Sequence, residues 1–223
     1  MHRQFGEAQE QGERPVRTQE EGERQLATLH RLGYPALAGL TPAELDALVR
    51  PVLARVRERL GEELPGDGGI PFLLVVTSAL VPTVDAVERW SVRGRSGWTD
   101  MAAELPDYRP VDGLEAPADP VYALLDVDTG AGTLGVTPQD ALPTIVGAGR
   151  QPLTIDEGVA LVTQLPDVFD SHNAFQALGS RAPNRRVPSF WFSKGAPRLG
   201  WCWAGNPHSW LGAGSTGGRL AAS

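Results

Sequence analysis

The stretch Val187-Pro188-Ser189-Phe190-Trp191-Phe192-Ser193-Lys194-Gly195-Ala196-Pro197-Arg198-Leu199-Gly200-Trp201-Cys202-Trp203-Ala204 decides the fold class. Its two ends, 187–193 and 199–204, are short, aromatic-rich runs around a polar, Gly- and Pro-containing centre, which is the pattern of a β-hairpin. A period of two places Phe190 and Phe192 on one face and Trp191 on the other. On the return strand Trp201 and Trp203 share a face that Cys202 does not.

Working upstream, helical grammar takes over. Thr154-Ile155-Asp156-Glu157 opens a helix that Pro166 stops, and Thr137-Pro138-Gln139-Asp140 opens another. Helical spacing is also read over Asp167–Leu178, with Gly179 as its close. Two strands precede these, Val121–Val127 and Ile70–Thr77, the latter continuous and apolar as a strand buried on both faces would be. Between them lie a short helix over Pro82–Trp90 and a Pro-rich surface loop over Leu105–Pro120. Further back, Thr41-Pro42-Ala43-Glu44 combines an N-cap, a proline at the first helical position and a capping-box glutamate. The helix it starts carries Leu45, Leu48, Val49, Val52, Leu53, Val56 and Leu60 on one face, and Pro51 should kink or split it. A first helix runs from Gln19, with Leu26, Leu29 and Leu32 in phase and Gly33 as C-cap. Helices and strands interleave irregularly, so the expected class is α+β: one domain, a mixed or antiparallel sheet, flanking helices and the C-terminal hairpin. The expected limits are a flexible polar tail over 1–20, the domain over 21–215, and a flexible C-terminal tail over 216–223.

Length and composition agree with one folded domain. The chain has 223 residues, 41% of them hydrophobic and 21% charged, enough to bury a full core. A net charge of −7 disfavours general binding to nucleic acid or anionic membrane. Cys202 is the only cysteine, so an intramolecular disulfide is impossible. Met1-His2-Arg3-Gln4-Phe5 lacks the apolar region of a signal peptide, so none is expected, and no stretch approaches the ~18 apolar residues of a membrane span. A cytoplasmic setting is expected. Nineteen of the twenty basic residues are arginine and the other is Lys194, a bias typical of GC-rich coding.

The charge is unevenly distributed. From Ser171 onward there is no Asp or Glu, and Arg181, Arg185, Arg186, Lys194, Arg198 and Arg219 make the segment +6, against −13 for the preceding residues. The same segment holds Trp191, Trp201, Trp203 and Trp210, the lone cysteine, His172 and His208. Either the basic segment packs on the acidic remainder and its tryptophans are scaffold, or arginines and indoles line a pocket for a small anionic ligand.

Several motifs together resemble a known family: Gly33-Tyr34-Pro35-Ala36-Leu37, Leu125-Asp126-Val127-Asp128-Thr129-Gly130, Leu153 to Gly158, His172-Asn173, Leu178-Gly179-Ser180-Arg181, Arg185-Arg186-Val187-Pro188, and Trp201-Cys202-Trp203-Ala204-Gly205-Asn206-Pro207-His208. They are similar to the actinobacterial domain-of-unknown-function family 5701 over roughly residues 25 to 215, the last motif being the most specific. The resemblance implies a domain extent and an actinobacterial, cytoplasmic setting; it implies no reaction.

The leading expectation is a ligand pocket built from Arg181, Arg185, Arg186, Trp191, Trp201, Trp203 and Asn206. A second is an enzyme using that pocket, with His172 or His208 as acid/base and Cys202 or Lys194 as nucleophile. A third is an interaction module with a Trp-rich docking face. Neither a cofactor nor a metal is called for, since Cys202, His208 and His172 lack paired ligand spacing. Asp128-Thr129-Gly130 matches the aspartic protease triplet, but no second triplet supplies the partner carboxylate. An Asx-type turn is the better reading.

Overall fold

The computed structural model describes residues 16–66, 69–169 and 174–222. In chain order the elements are α1 (Thr18–Arg31), α2 (Tyr34–Leu37), α3 (Pro42–Leu60), β1 (Ile70–Val76), α4 (Thr83–Glu88), β2 (Ser91–Val92), β3 (Arg95–Ser96), β4 (Trp98–Thr99), β5 (Arg109–Pro110), β6 (Val121–Asp128), α5 (Pro138–Gly147), β7 (Gln151–Pro152), α6 (Ile155–Gln164), β8 (Ala174–Gln176), β9 (Ser180–Arg181), β10 (Arg186–Ser193), β11 (Ala196–Trp203), β12 (Leu211–Ala213) and β13 (Ser215–Leu220). The class is α+β, with the expected C-terminal hairpin.

Two sheets carry the fold. The first is antiparallel in the order β1-β6-β13-β7; the second is mixed, in the order β12-β8-β10-β11-β4. Five consecutive buried residues, Phe72 to Val76, cover both faces of β1, as its unbroken apolar run requires. Because β1 is an edge strand, its free backbone groups need partners. The buried side chain of Gln25 supplies them: its amide nitrogen donates to the Phe72 carbonyl at 3.2 Å, and its oxygen accepts from the Leu74 N–H at 2.7 Å.

Helix α6 joins the two sheets. It packs on β1, while at Gly158 it touches the ring of Phe190 from the second sheet so closely that a Cβ would lie 2.4 Å from that ring. Phe190 is fully buried and stacks on Phe175 of β8 with ring centroids 4.7 Å apart. On the other side of β10, Val187 joins a smaller apolar cluster with Ala141 and Ile145 of α5.

Three helix starts follow the sequence grammar. Thr41 and Thr154 form full capping boxes with Glu44 and Glu157, and Thr137 accepts from the Asp140 N–H. Helix α3 runs through Pro51 without splitting. The proline leaves the Ala47 carbonyl without an intrahelical donor, but both residues lie on the exposed face, where that carbonyl can be hydrated.

Four boundaries differ from expectation. Of the helix expected over Asp167–Leu178, the described residues form other elements: a 3-10 turn over Pro166–Phe169 and strand β8, whose Phe175 pairs with Phe190, while 170–173 lie outside the described residues. Gly179 is not a helix cap; its N–H donates to the Leu153 carbonyl at 2.7 Å, and a Cβ there would meet that oxygen at 2.7 Å. The expected C-terminal tail from residue 216 is instead strand β13, an inner strand between β6 and β7. At the other end, Thr18 to Glu20 belong to α1, anchored where the Thr18 hydroxyl donates to the Gly61 carbonyl at 2.7 Å. Residues 1–15 lie outside the described residues.

Candidate functional site

The hairpin turn is tighter than its sequence suggested. Ser193 pairs directly with Ala196, so Lys194 and Gly195 alone make the turn, both at positive φ (54° and 74°), as a type I′ hairpin needs. The resulting register fixes which side chains share a face. Arg186 lies opposite Trp203, and Pro188 opposite Trp201, on the face that also carries Phe190. Val187 opposite Cys202, and Trp191 opposite Arg198, occupy the other face.

The sequence-selected residues therefore form two groups. On the first face the Arg186 guanidinium lies 4.0 Å over the Trp201 ring and 5.6 Å from that of Trp203, and the two indoles meet edge to face at 5.0 Å. Arg186 also pairs with Glu104. Arg181 and Arg185 precede it on β9 and in the following turn, and their charges repel each other. On the second face Arg198 is sandwiched between Trp98 and Trp191, 4.6 and 4.7 Å from their rings, and bonds both oxygens of Asp100 at 2.7 Å. Trp191 meets Trp210 edge-on at 6.4 Å, and Trp210 meets His208 at 5.4 Å. Lys194 sits 5.3 Å over Trp98.

Much of the charge polarity is internal. Arg186, Arg198 and Arg219 are paired with Glu104, Asp100 and Glu157 of the acidic part of the chain. The Arg219–Glu157 pair is buried, with side-chain exposures of 4% and 0%. Its carboxylate also accepts from the Tyr122 hydroxyl at 2.8 Å and the Thr154 N–H at 2.7 Å.

Arg181 and Arg185 have no carboxylate partner among the described residues. Arg181 lies across the antiparallel β5/β9 ladder from Arg109, whose guanidinium turns back onto the Pro106 and Tyr108 carbonyls. Burial, and then the charge of Arg185, push the Arg181 guanidinium below its ordinary range. Its buried Nε has no hydrogen-bond partner among the described residues, nor has the buried Nε of Arg186 or the hydroxyl of Tyr108. Tyr108 is 7% exposed and lies in the electrostatic field of both arginines. Arg185 adopts φ 63°, costly for a side chain of its size, and its Nη2 donates to Gln139 at 3.0 Å.

Among the described residues no hydrogen bond joins Cys202 or Lys194 to His208. Cys202 sits beside Ser189 and Gln176, and burial pushes its thiol up from the ordinary range. His208 lies against Trp210, and no hydrogen bond among the described residues joins it to Cys202. Asn206 is exposed, its backbone N–H donating to the Trp203 carbonyl at 3.1 Å. His172 lies outside the described residues. Among the described residues no group of three or more His, Cys, Asp and Glu is placed to hold a metal ion, and no helix is long and apolar enough to cross a membrane.

Sequence reasoning missed Tyr108, Arg109 and Glu104. All three fall in or next to a stretch read as loop, and only the β5/β9 pairing brings them to the arginines. The fold and these clusters define a class: a single α+β domain whose mixed sheet carries an arginine–tryptophan cluster on each face. The chain belongs to the family of unknown function DUF5701, whose model matches residues 28–222, a span that includes β13. Neither a curated protein nor a solved structure matches it.

Proposed function

We propose that the protein binds a small anionic organic ligand at the face formed by Arg181, Arg185, Arg186, Trp201 and Trp203. The observation that carries this reading is Arg181: a half-buried guanidinium opposite one arginine, repelled by another, without a carboxylate partner among the described residues. An organic anion would satisfy that charge through forked hydrogen bonds, and the indoles offer an apolar wall for its body. The left-handed backbone of Arg185 supports the reading, since strained conformations concentrate at binding sites. Trp191 is not part of this surface because it belongs to the opposite face, and nucleophilic use of Cys202 is not part of it because burial pushes that thiol up from its ordinary range. A single Trp-rich docking face is disfavoured for the same geometric reason. With this reading we keep an actinobacterial, cytoplasmic setting, in line with the arginine bias and the lone cysteine.

The test is ligand-dependent melting of the full chain against a panel of organic carboxylates and phosphates. At least one anion should raise Tm in a saturable way in the native protein and in Trp191→Ala, but not in Arg181→Met. No shift with any anion, or an equal shift in Arg181→Met, would overturn the proposal.

A further inference from the structure

A second site is indicated on the other side of the β5/β9 ribbon. Along the ribbon Arg109 and Arg181 face one way, and Pro110 and Ser180 the other. Pro110 and Ser180 help to wall a cleft of about 320 Å³, a volume at the lower end of small-molecule pockets. Its remaining walls come from the chain after β1, from the Pro-rich loop between Leu105 and Asp119, from Tyr122 on β6 and from the start of α6. The lining is rich in hydroxyls and contains no Lys, Arg or His; its charged residues are Asp119 and Asp156.

Asp156 is the focus of this cleft. Its Oδ2 accepts from the Ser78 N–H at 3.0 Å and from the Ser78 hydroxyl at 3.1 Å. Those bonds fix the carboxylate in place, and no ion pair among the described residues neutralises it. The neighbouring Glu157 cannot borrow a cation for it, because Arg219 is wholly engaged with Glu157, Gln151 and the Pro152 carbonyl. Burial raises the Asp156 carboxyl above its ordinary range, which marks a charge held where water solvates it poorly. Tyr108, 7% exposed, also lines the cleft, and its hydroxyl, unpartnered among the described residues, lies in the field of Glu104, Arg186 and Arg181. A fixed carboxylate without a counter-ion, set among hydroxyl groups and apolar Leu105 and Ile155, suits a ligand with a cationic donor group and a short polar body. Among the described residues no group of three or more His, Cys, Asp and Glu is placed to hold a metal ion, and the apolar side chains in the lining suit an organic cation.

We propose that the cleft beside Asp156 binds a small organic ammonium compound, its cationic nitrogen paired with the Asp156 carboxylate. The cleft lining carries no arginine; Tyr108 borders both sites, but the carboxylate of one and the guanidinium of the other are read by different probes, so either proposal can fail without the other.

Ethanolamine hydrochloride serves as the probe, titrated into the isotopically labelled full chain with the amide resonances of Ser78 and Ile155 observed, against glycerol and matched sodium chloride as controls. Ethanolamine should shift both resonances in a saturable way, while glycerol and salt leave them unmoved. Asp156→Asn, which keeps an oxygen to accept from Ser78, should weaken the response by about tenfold or more. A response to glycerol as strong as that to ethanolamine, no saturable response to ethanolamine, or an undiminished response in Asp156→Asn would each overturn the proposal. If the variant did not fold, the comparison of the three probes on the native chain would decide it alone.

Discussion

Replacing Arg219 by methionine tests how the C-terminal strand is locked into the first sheet. The side chain of Arg219 is 4% exposed and that of Glu157 is fully buried. Two of its nitrogens bond the two carboxylate oxygens at 2.6 and 2.8 Å. Methionine fills a comparable volume but leaves Glu157 with the Tyr122 hydroxyl and the Thr154 N–H as donors. Breaking a buried pair by removing one partner costs about 3–5 kcal/mol. The two surviving donors put the expected loss at the lower end, about 3 kcal/mol, or a fall of roughly 6–12 °C in Tm for a domain of this size. Urea unfolding followed by far-ultraviolet circular dichroism measures it. The double variant Arg219→Met/Glu157→Gln should recover most of the loss, because both charges are then gone. A cost below about 1 kcal/mol in the single variant, or no recovery in the double, would refute a desolvated pair.

Other consequences can be checked alongside. Gly158→Ala should destabilise by about 1–3 kcal/mol, since its methyl would overlap the Phe190 ring, measured by the same unfolding curves. Native Asp156 holds its proton more tightly than the unfolded chain does. Its contribution to stability is thus present below the ordinary carboxylate range and is lost as pH rises through that range toward the raised folded value. Asp156→Asn should therefore melt above the native protein at neutral pH, with the gap closing on acidification; a lower Tm at neutral pH would contradict this. Arg181→Met should leave the ligand-free protein at least as stable as the native chain, because it removes a desolvated charge repelled by Arg185, and calorimetry without added anions decides it. Cys202 should resist iodoacetamide at neutral pH in the folded protein and react on unfolding; mass spectrometry reads both states.

The parts legible in the sequence were those with local causes. Thr41, Thr137 and Thr154 announce their helices because an N-cap acts within one turn. The apolar face of α3 and the unbroken run of β1 were readable for the same reason. Residues 174–178 were not, because Phe175 and Leu178 fit helical spacing equally well and the choice was made by a distant partner, Phe190. Ser215-Thr216-Gly217-Gly218 has the composition of a tail, yet pairing with β6 and β7 makes it a strand. The candidate site shows the same division. Strand alternation predicted correctly that Trp191 and Cys202 turn away from the faces of their neighbours, but the register that opposes Arg186 to Trp203 is a pairing property. The role of Arg109 depended on a two-residue ladder that no periodicity could signal.

The central claim, an organic anion bound at Arg181 against the indole pair, is tested most directly by tryptophan emission during titration with phenyl phosphate. Trp203 is 43% exposed and Trp201 lies edge to face with it, so a ligand seated there must change their emission. The account predicts a saturable change in the native chain that is preserved in Trp191→Phe and abolished in Arg181→Met. A linear, unsaturable response, or a saturable one that survives Arg181→Met, would contradict it.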